Sequence, residues 1–268
     1  MRRMNLTDIN GTRLEVRQIA AASTTPHASA PLVFLHEGLG SVAMWRDWPD
    51  QLCALTGRAG LVYSRQGYGE SDPTPDVRGA PTERHGQRSG RLQPDYMHRE
   101  AWEVLPALLA HFGIEAPVLV GHSDGGTIAL LHASRHPVAA CIVLAPHVIV
   151  EDISVSAITA ARLAYESGKL RPPLARYHAD VDGAFWQWND VWLSDGFRPF
   201  DIRPDCRRIR APLLAIQGEA DPYGTMAQID DIAAHAPHTQ RCKLPDCGHS
   251  PHRDQPDAVN AAILDFLR

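Results

Sequence analysis

The sequence predicts an α/β fold: a mostly parallel twisted sheet with helices on both faces and a helical cap insertion. Two observations carry this. Short apolar runs, rich in β-branched residues and bounded by Gly or Pro, recur as "PLVFL" (31–35), "GLVYS" (60–64), "PVLVG" (117–121), "CIVLA" (141–145) and "PLLAIQG" (212–218). Segments with helical spacing lie between most of them, such as "HREAWEVLPALLAHFGI" (98–114) and "DGGTIALLHASRHP" (124–137). Strands this uniformly apolar need cover on both faces, and crossover helices between parallel strands provide it. A chain of 268 residues is long enough to do so around a sizeable core.

Taken in order, the chain opens with "TDINGTRLEVRQI", in which Asn10-Gly11 between alternating segments predicts a β-hairpin. The strand at 32–35 leads into "HEGLGSVAMWRDWP", and the strand at 60–64 into "RQGYGESD". Residues 72–95, "DPTPDVRGAPTERHGQRSGRLQPD", are expected to be a long Pro/Gly/Arg-rich loop. Residues 147–208 follow one strand, precede the next and contain several helical stretches. Phe185, Trp186, Trp188, Trp192, Phe197 and Phe200 fall within them. This segment is expected to be a helical cap riding on a core domain formed by residues 1–146 and 209–268. Phe185, Trp188 and Trp192 fall at i, i+3, i+7 and form one helical stripe, either packing against the core or roofing the apolar part of a substrate. The tail closes with an amphipathic helix whose Ala258, Ala262, Ile263 and Phe266 fall on one side.

The charge balance, 26 basic against 31 acidic residues with no sustained basic stretch, argues against a nucleic-acid partner. No run of about 18 apolar residues suggests a membrane span, and no apolar stretch follows Arg2 and Arg3 as in a secretory signal. With five cysteines in no framework spacing (Cys53, Cys141, Cys206, Cys242, Cys247), this suggests reduced thiols in a cytoplasm. Cys242, Cys247 and His249 resemble part of a zinc site, but a fourth ligand is missing, so no metal or other cofactor is expected. The expected partner is a small-molecule substrate, and the expected state a monomer or homodimer.

The chemistry centres on "VLVGHSDGGTIALLHA" (118–133). Gly121-His122-Ser123-Asp124-Gly125 fits G-x-S-x-G, a pattern that places a serine on a sharp strand-to-helix turn. Such a turn pushes the hydroxyl above the sheet and aims the amides of the next helix at the reacting centre. The bland reading is a Gly-rich turn or a phosphate loop. A serine nucleophile needs a base, and the base an orienting acid. "QGEADPYG" (217–224) and "LPDCGHSPHRDQP" (244–256) supply Asp221 and His249 in the order Ser, Asp, His, with Glu219 and Asp246 as rival acids.

With these motifs the chain resembles the α/β-hydrolase fold superfamily over essentially its whole length. The resemblance implies Ser123 as nucleophile, His249 as general base and acid, and Asp221 as orienting acid. It also implies an oxyanion hole from the amides of Gly38 and Asp124. "HEGLG" departs from the family's His-Gly-x-Gly by carrying Glu37, so Leu39 is the alternative donor. "YSRQGYGESD" (63–72) resembles an Arg- and Gly-bearing stretch that supports the active-site floor. Glu37, Trp45, Trp188 and Trp192 are expected to line the substrate pocket. The Asp124 carboxylate would oppose an oxyanion if it pointed inward, so it is expected to turn away toward nearby donors. The alternative is that it binds a polar or cationic part of the substrate. The activity implied is hydrolysis of a small ester, lactone or thioester through an acyl-enzyme. Alternatives are hydrolysis of a carbon–carbon bond in a 1,3-dicarbonyl compound, and ligand binding on a hydrolase scaffold.

Overall fold

The structure is a computed structural model that describes residues 4–21, 29–84 and 87–268. Among the described residues ten strands are formed: β1 (Met4–Ile9), β2 (Thr12–Ile19), β3 (Leu32–Leu35), β4 (Gly60–Tyr63), β5 (Thr82–Arg84), β6 (Gln87–Ser89), β7 (Val118–His122), β8 (Ala140–Leu144), β9 (Leu213–Gly218) and β10 (Gln240–Leu244). Among the described residues, eight of them make one sheet in the order β1-β2-β4-β3-β7-β8-β9-β10. From β4 to β10 neighbours run parallel, while the β1–β2 hairpin adds antiparallel at one edge. Its turn uses positive φ at both Asn10 (53°) and Gly11 (83°), the geometry that matches the twist of flanking strands.

Strand alternation divides the core into two layers. Leu32, Phe34, Val118, Val120, Ile142, Leu144, Leu214 and Ile216 point to one face. They meet α1 (Trp48–Thr56) and the C-terminal helix 256–266 through Trp48, Leu52, Val259 and Ile263. Val33, Leu35, Leu119, Cys141, Val143 and Ala215 point to the other face. There they meet α2 (Tyr96–Arg99), a π-helical turn (Glu100–Val104), α3 (Leu105–His111) and α4 (Asp124–Ala133). Phe34 is fully buried between the edges of Trp45 and Trp48, at ring separations of 5.8 and 5.9 Å. A side chain so buried contributes about 1.5–3 kcal/mol.

Between β8 and β9 come α5 (Asp152–Glu166), α6 (Arg171–Leu174), α7 (Val181–Trp192) and α8 (Arg203–Cys206). Asp180 caps α7 by accepting the Gly183 amide at 2.9 Å, and α7 turns its buried Phe185, Trp188 and Trp192 inward. The chain ends through α9 (Ala227–His235), α10 (Pro251–Asp254) and α11 (Pro256–Phe266).

Two details differ from the sequence expectation. Residues 72–95 are not all loop: β5 and β6 pair as an antiparallel ribbon, with 85 and 86 outside the described residues. Arg78 ties the segment to α7, pairing with Asp190 at 2.8 Å and stacking over Trp186. On α11 the inward face is Val259, Asn260 and Ile263, with Ala262 and Phe266 partly covered; Ala258 is exposed.

Candidate active site

Ser123 sits between β7 and α4 with φ 53° and ψ −119°, a conformation that non-glycine residues adopt only when the surroundings impose it. The surroundings here are main chain. A Cβ on Gly121 would lie 2.2 Å from the Gly125 carbonyl oxygen, and one on Gly125 would lie 2.0 Å from that of Leu35. Strand, turn and helix therefore close only with glycine on both sides of the serine.

The turn presents the Ser123 hydroxyl to His249, whose Nε2 accepts it at 2.9 Å. His249 Nδ1 donates to Asp221, at 2.9 Å from Oδ1 and 2.8 Å from Oδ2. Asp221 also accepts from the Tyr223 amide at 2.8 Å and from Gln217 Nε2 at 2.7 Å. Burial pushes this carboxyl upward, but the His249 hydrogen bond and charge and the Tyr223 amide leave it below the usual carboxylate range. Asp221 is thus an ionised acceptor that orients the ring. Both His249 nitrogens are engaged, and among the described residues no three His, Cys, Asp or Glu side chains are grouped to hold a metal ion.

The 37–40 turn faces the serine. Gly40 N–H closes it onto the Glu37 carbonyl at 3.0 Å. Arg65 Nη2 donates to that same carbonyl at 3.0 Å, and His36 Nδ1 lies 2.6 Å from it. Arg65 Nη1 also donates to the His36 carbonyl at 2.9 Å. Arg65 N–H donates to His36 Nε2, so the buried His36 ring is neutral with its hydrogen on Nδ1. Burial and the Arg65 charge hold it well below the usual histidine range. Arg65, from the stretch after β4, is therefore the clamp on this turn. The Gly38 amide lies inside the turn, and Asp124 opens α4, where an amide has no intrahelical acceptor. A Cβ on Gly38 would lie 2.2 Å from Trp188 Nε1, so only glycine lets the α7 indole settle on this turn.

The Asp124 side chain is buried and turned toward donors: Tyr96 hydroxyl at 2.6 Å on Oδ2, Trp192 Nε1 at 3.3 Å on Oδ1, and Arg65 Nη2 at 3.9 Å. Burial raises its carboxyl above the usual range, against the pull of Arg65, Tyr96 and Trp192. Sequence reasoning named none of these partners apart from Trp192, which it placed in the pocket.

A cavity of about 230 Å³ opens over Ser123, walled by Glu37, Gly38, His147, Tyr223 and His249 and roofed by Ile158, Trp188 and Trp192. Trp45 does not line it. Its ring stacks on Trp48 at 5.6 Å and packs on His252 at 4.9 Å, in the core beneath His122, so the pocket expectation is corrected there. The α10 residues after His249 set this packing. A larger cavity, about 320 Å³ beneath the β5–β6 ribbon, is not lined by Ser123, His249 or Asp221.

A strained serine thus meets a histidine and a buried carboxylate above a parallel sheet covered on both faces. The Alpha/beta hydrolase family profile matches residues 32–262, and the chain belongs to that family. The human "Serine hydrolase BPHL" is 28% identical over 219 residues, covering 78% of this chain and 69% of its own. "Putative carbamate hydrolase RutD" of Escherichia coli K12 / DH10B is 24% identical over 272 residues, covering 91% and 94%. The structure of the enol-lactonase from Burkholderia xenovorans LB400 superposes with a TM-score of 0.69 at 19% identity, covering 97% of this chain and 98% of that one. The protein is a hydrolase. Among the described residues no helix is long and apolar enough to cross a membrane.

Proposed function

We propose that the protein is a serine hydrolase that cleaves a small carboxylic ester, lactone or thioester through an acyl-enzyme. The observation that carries this reading is the unbroken relay from Ser123 Oγ through His249 to Asp221 at 2.8–2.9 Å. His249 takes the serine proton as Oγ attacks the carbonyl carbon. The carbonyl electrons move to oxygen, which the amides of Asp124 and Gly38 and the N-terminus of α4 receive. Collapse expels an alkoxide or thiolate that takes the proton back from His249. Water then repeats the sequence, releasing the acid and restoring Ser123.

The Asp124 contacts support this assignment: its carboxylate is held by Tyr96 and Trp192, leaving its amide as the group offered to the oxyanion. The cavity, smaller than the usual ligand site of about 300–1,000 Å³, and its indole roof suit a compact substrate with an apolar acyl or aromatic part. We assign residues 147–208 as the cap that selects it. The printed name of one relative, a serine hydrolase, supports the serine chemistry.

The test is a panel of esters, lactones, thioesters and 1,3-diketones given to wild type and Ser123→Ala, with products identified by mass spectrometry. Turnover of an ester-type substrate by wild type alone is expected. Cleavage confined to 1,3-diketones would replace the reading with carbon–carbon hydrolysis, and binding without a second turnover would replace it with a receptor.

A further inference from the structure

Beside the triad lies a second acid–imidazole pair, made of two residues to which the mechanism above gives no task. His122 precedes Ser123 and is buried. Its Nε2 stands 2.6 Å from the carbonyl oxygen of His249, and its Nδ1 stands 3.4 Å from Glu37 Oε2. A carbonyl only accepts, so Nε2 carries a hydrogen. In a neutral ring Nδ1 would then turn a lone pair toward a carboxylate, which also only accepts. A proton between Glu37 and Nδ1 removes that conflict. A carboxyl gives up its proton more readily than an imidazolium, so the proton belongs on the ring.

The surroundings agree. Arg253 Nη2, 3.5 Å from Glu37 Oε1, favours the ionised acid. Burial alone would push the Glu37 carboxyl up, but His122, Arg253 and His36 hold it well below the usual range. The other titratable rings facing His122 are His249 at 5.2 Å and His252 at 4.9 Å. His252, whose buried nitrogens have no partner, is kept neutral by burial, as is His147 beyond His249. The turn also makes room for the carboxylate: a Cβ on Gly40 would lie 2.5 Å from Glu37 Oε2.

We propose that His122 is a positioning residue, held as an imidazolium between Glu37 and the His249 carbonyl, and that this charged brace fixes the catalytic histidine from its backbone side. The proposal rests on the triad reading above. Without the second ring proton the carboxylate faces a lone pair, and His249 loosens. Glu37→Gln supplies an amide N–H to a neutral ring, keeping the hydrogen bond without the charge. Glu37→Ala supplies neither.

The test joins nitrogen NMR of histidine-labelled protein, with His122→Asn for assignment, to kcat and KM of the Glu37 variants. Expected are two protonated ring nitrogens on His122 in wild type at neutral pH and one in Glu37→Gln. Glu37→Ala is expected to lower kcat about tenfold with little change in KM, and Glu37→Gln to restore most of it. A singly protonated His122 in wild type, or a kcat for both Glu37 variants equal to that of wild type, overturns the proposal. The NMR readout needs no turnover, so failure of the brace and failure of the hydrolase reading are told apart.

Discussion

Ser123, the 37–40 turn and the start of α4 form the floor of the catalytic cavity; Ile158, Trp188 and Trp192 form its roof. The floor is made by main chain in near contact, with glycine wherever two backbones would collide, as at Gly125 against Leu35. The roof is made by large side chains of the segment between β8 and β9, whose contribution is shape and apolar area. They meet where the Trp188 indole lies on Gly38 and where Trp192 Nε1 donates to Asp124. On the proposed function the floor determines which bond is broken, and the roof selects the molecule that brings it.

Substitutions can break or sharpen this division. The largest effect is expected from Ser123→Ala, which removes the covalent route and should lower kcat/KM by roughly 10³-fold or more while leaving unfolding unchanged. Comparing its steady-state rate and melting temperature with those of wild type checks both halves.

Acid should act next most strongly, and on the elbow side. Burial pushes His132, on α4, down to about 4 and His147, beside the triad, down to about 3. Unfolded, each binds a proton near its ordinary value of about 6.5. Between that value and their folded values the unfolded chain holds more protons, so stability falls as pH falls. The two together contribute about 2–3 kcal/mol per pH unit at most. Denaturant unfolding at pH 7, 6 and 5 measures it, and a flat stability across that span contradicts the neutral burial of these rings.

Gly125→Ala drives a methyl into the Leu35 carbonyl and should cost about 1–3 kcal/mol of stability, with activity lost as the elbow opens. Trp188→Ala should behave differently, shifting chain-length preference through KM about tenfold with kcat on the smallest ester retained. Lost stability with unchanged selectivity would instead make the indole simple packing. The smallest effect belongs to Asp124→Asn, which keeps size and backbone. With a neutral ester kcat should change less than about tenfold, or about 1.4 kcal/mol. A far larger loss in a stable protein would place that carboxylate in the chemistry and erase the line between floor and roof at this residue.

The floor was far more legible than the roof. Continuous apolar runs bounded by Gly or Pro mark β3, β4, β7, β8 and β9 because a strand covered on both faces leaves no polar position to blur the signal. The glycines around Ser123 were readable because backbone contact admits no other residue. Side-chain neighbours across the fold left no local trace. Tyr96 and Arg65, which hold Asp124, lie 28 and 59 positions away in sequence, and no periodicity encodes that meeting. Trp45, expected in the pocket, turns onto Trp48 and His252 instead. The β5–β6 ribbon was hidden because its short strands, "TER" and "QRS", carry no apolar alternation. Ala258 looked inward by helical spacing, but so small a side chain contributes little to choosing a face, and Val259 and Ile263 chose it.

The central claim is that Ser123 carries the acyl group, and intercepting that intermediate tests it most directly. Wild-type protein mixed with a slowly deacylating aryl ester, quenched in acid and analysed by intact and peptide mass spectrometry, should gain the mass of one acyl group. The added mass should lie on the peptide containing Ser123, appear at the rate of the product burst, and be absent from Ser123→Ala. Product release with an unmodified Ser123 peptide, or an acyl group on another residue that forms and decays at the turnover rate, would contradict the account.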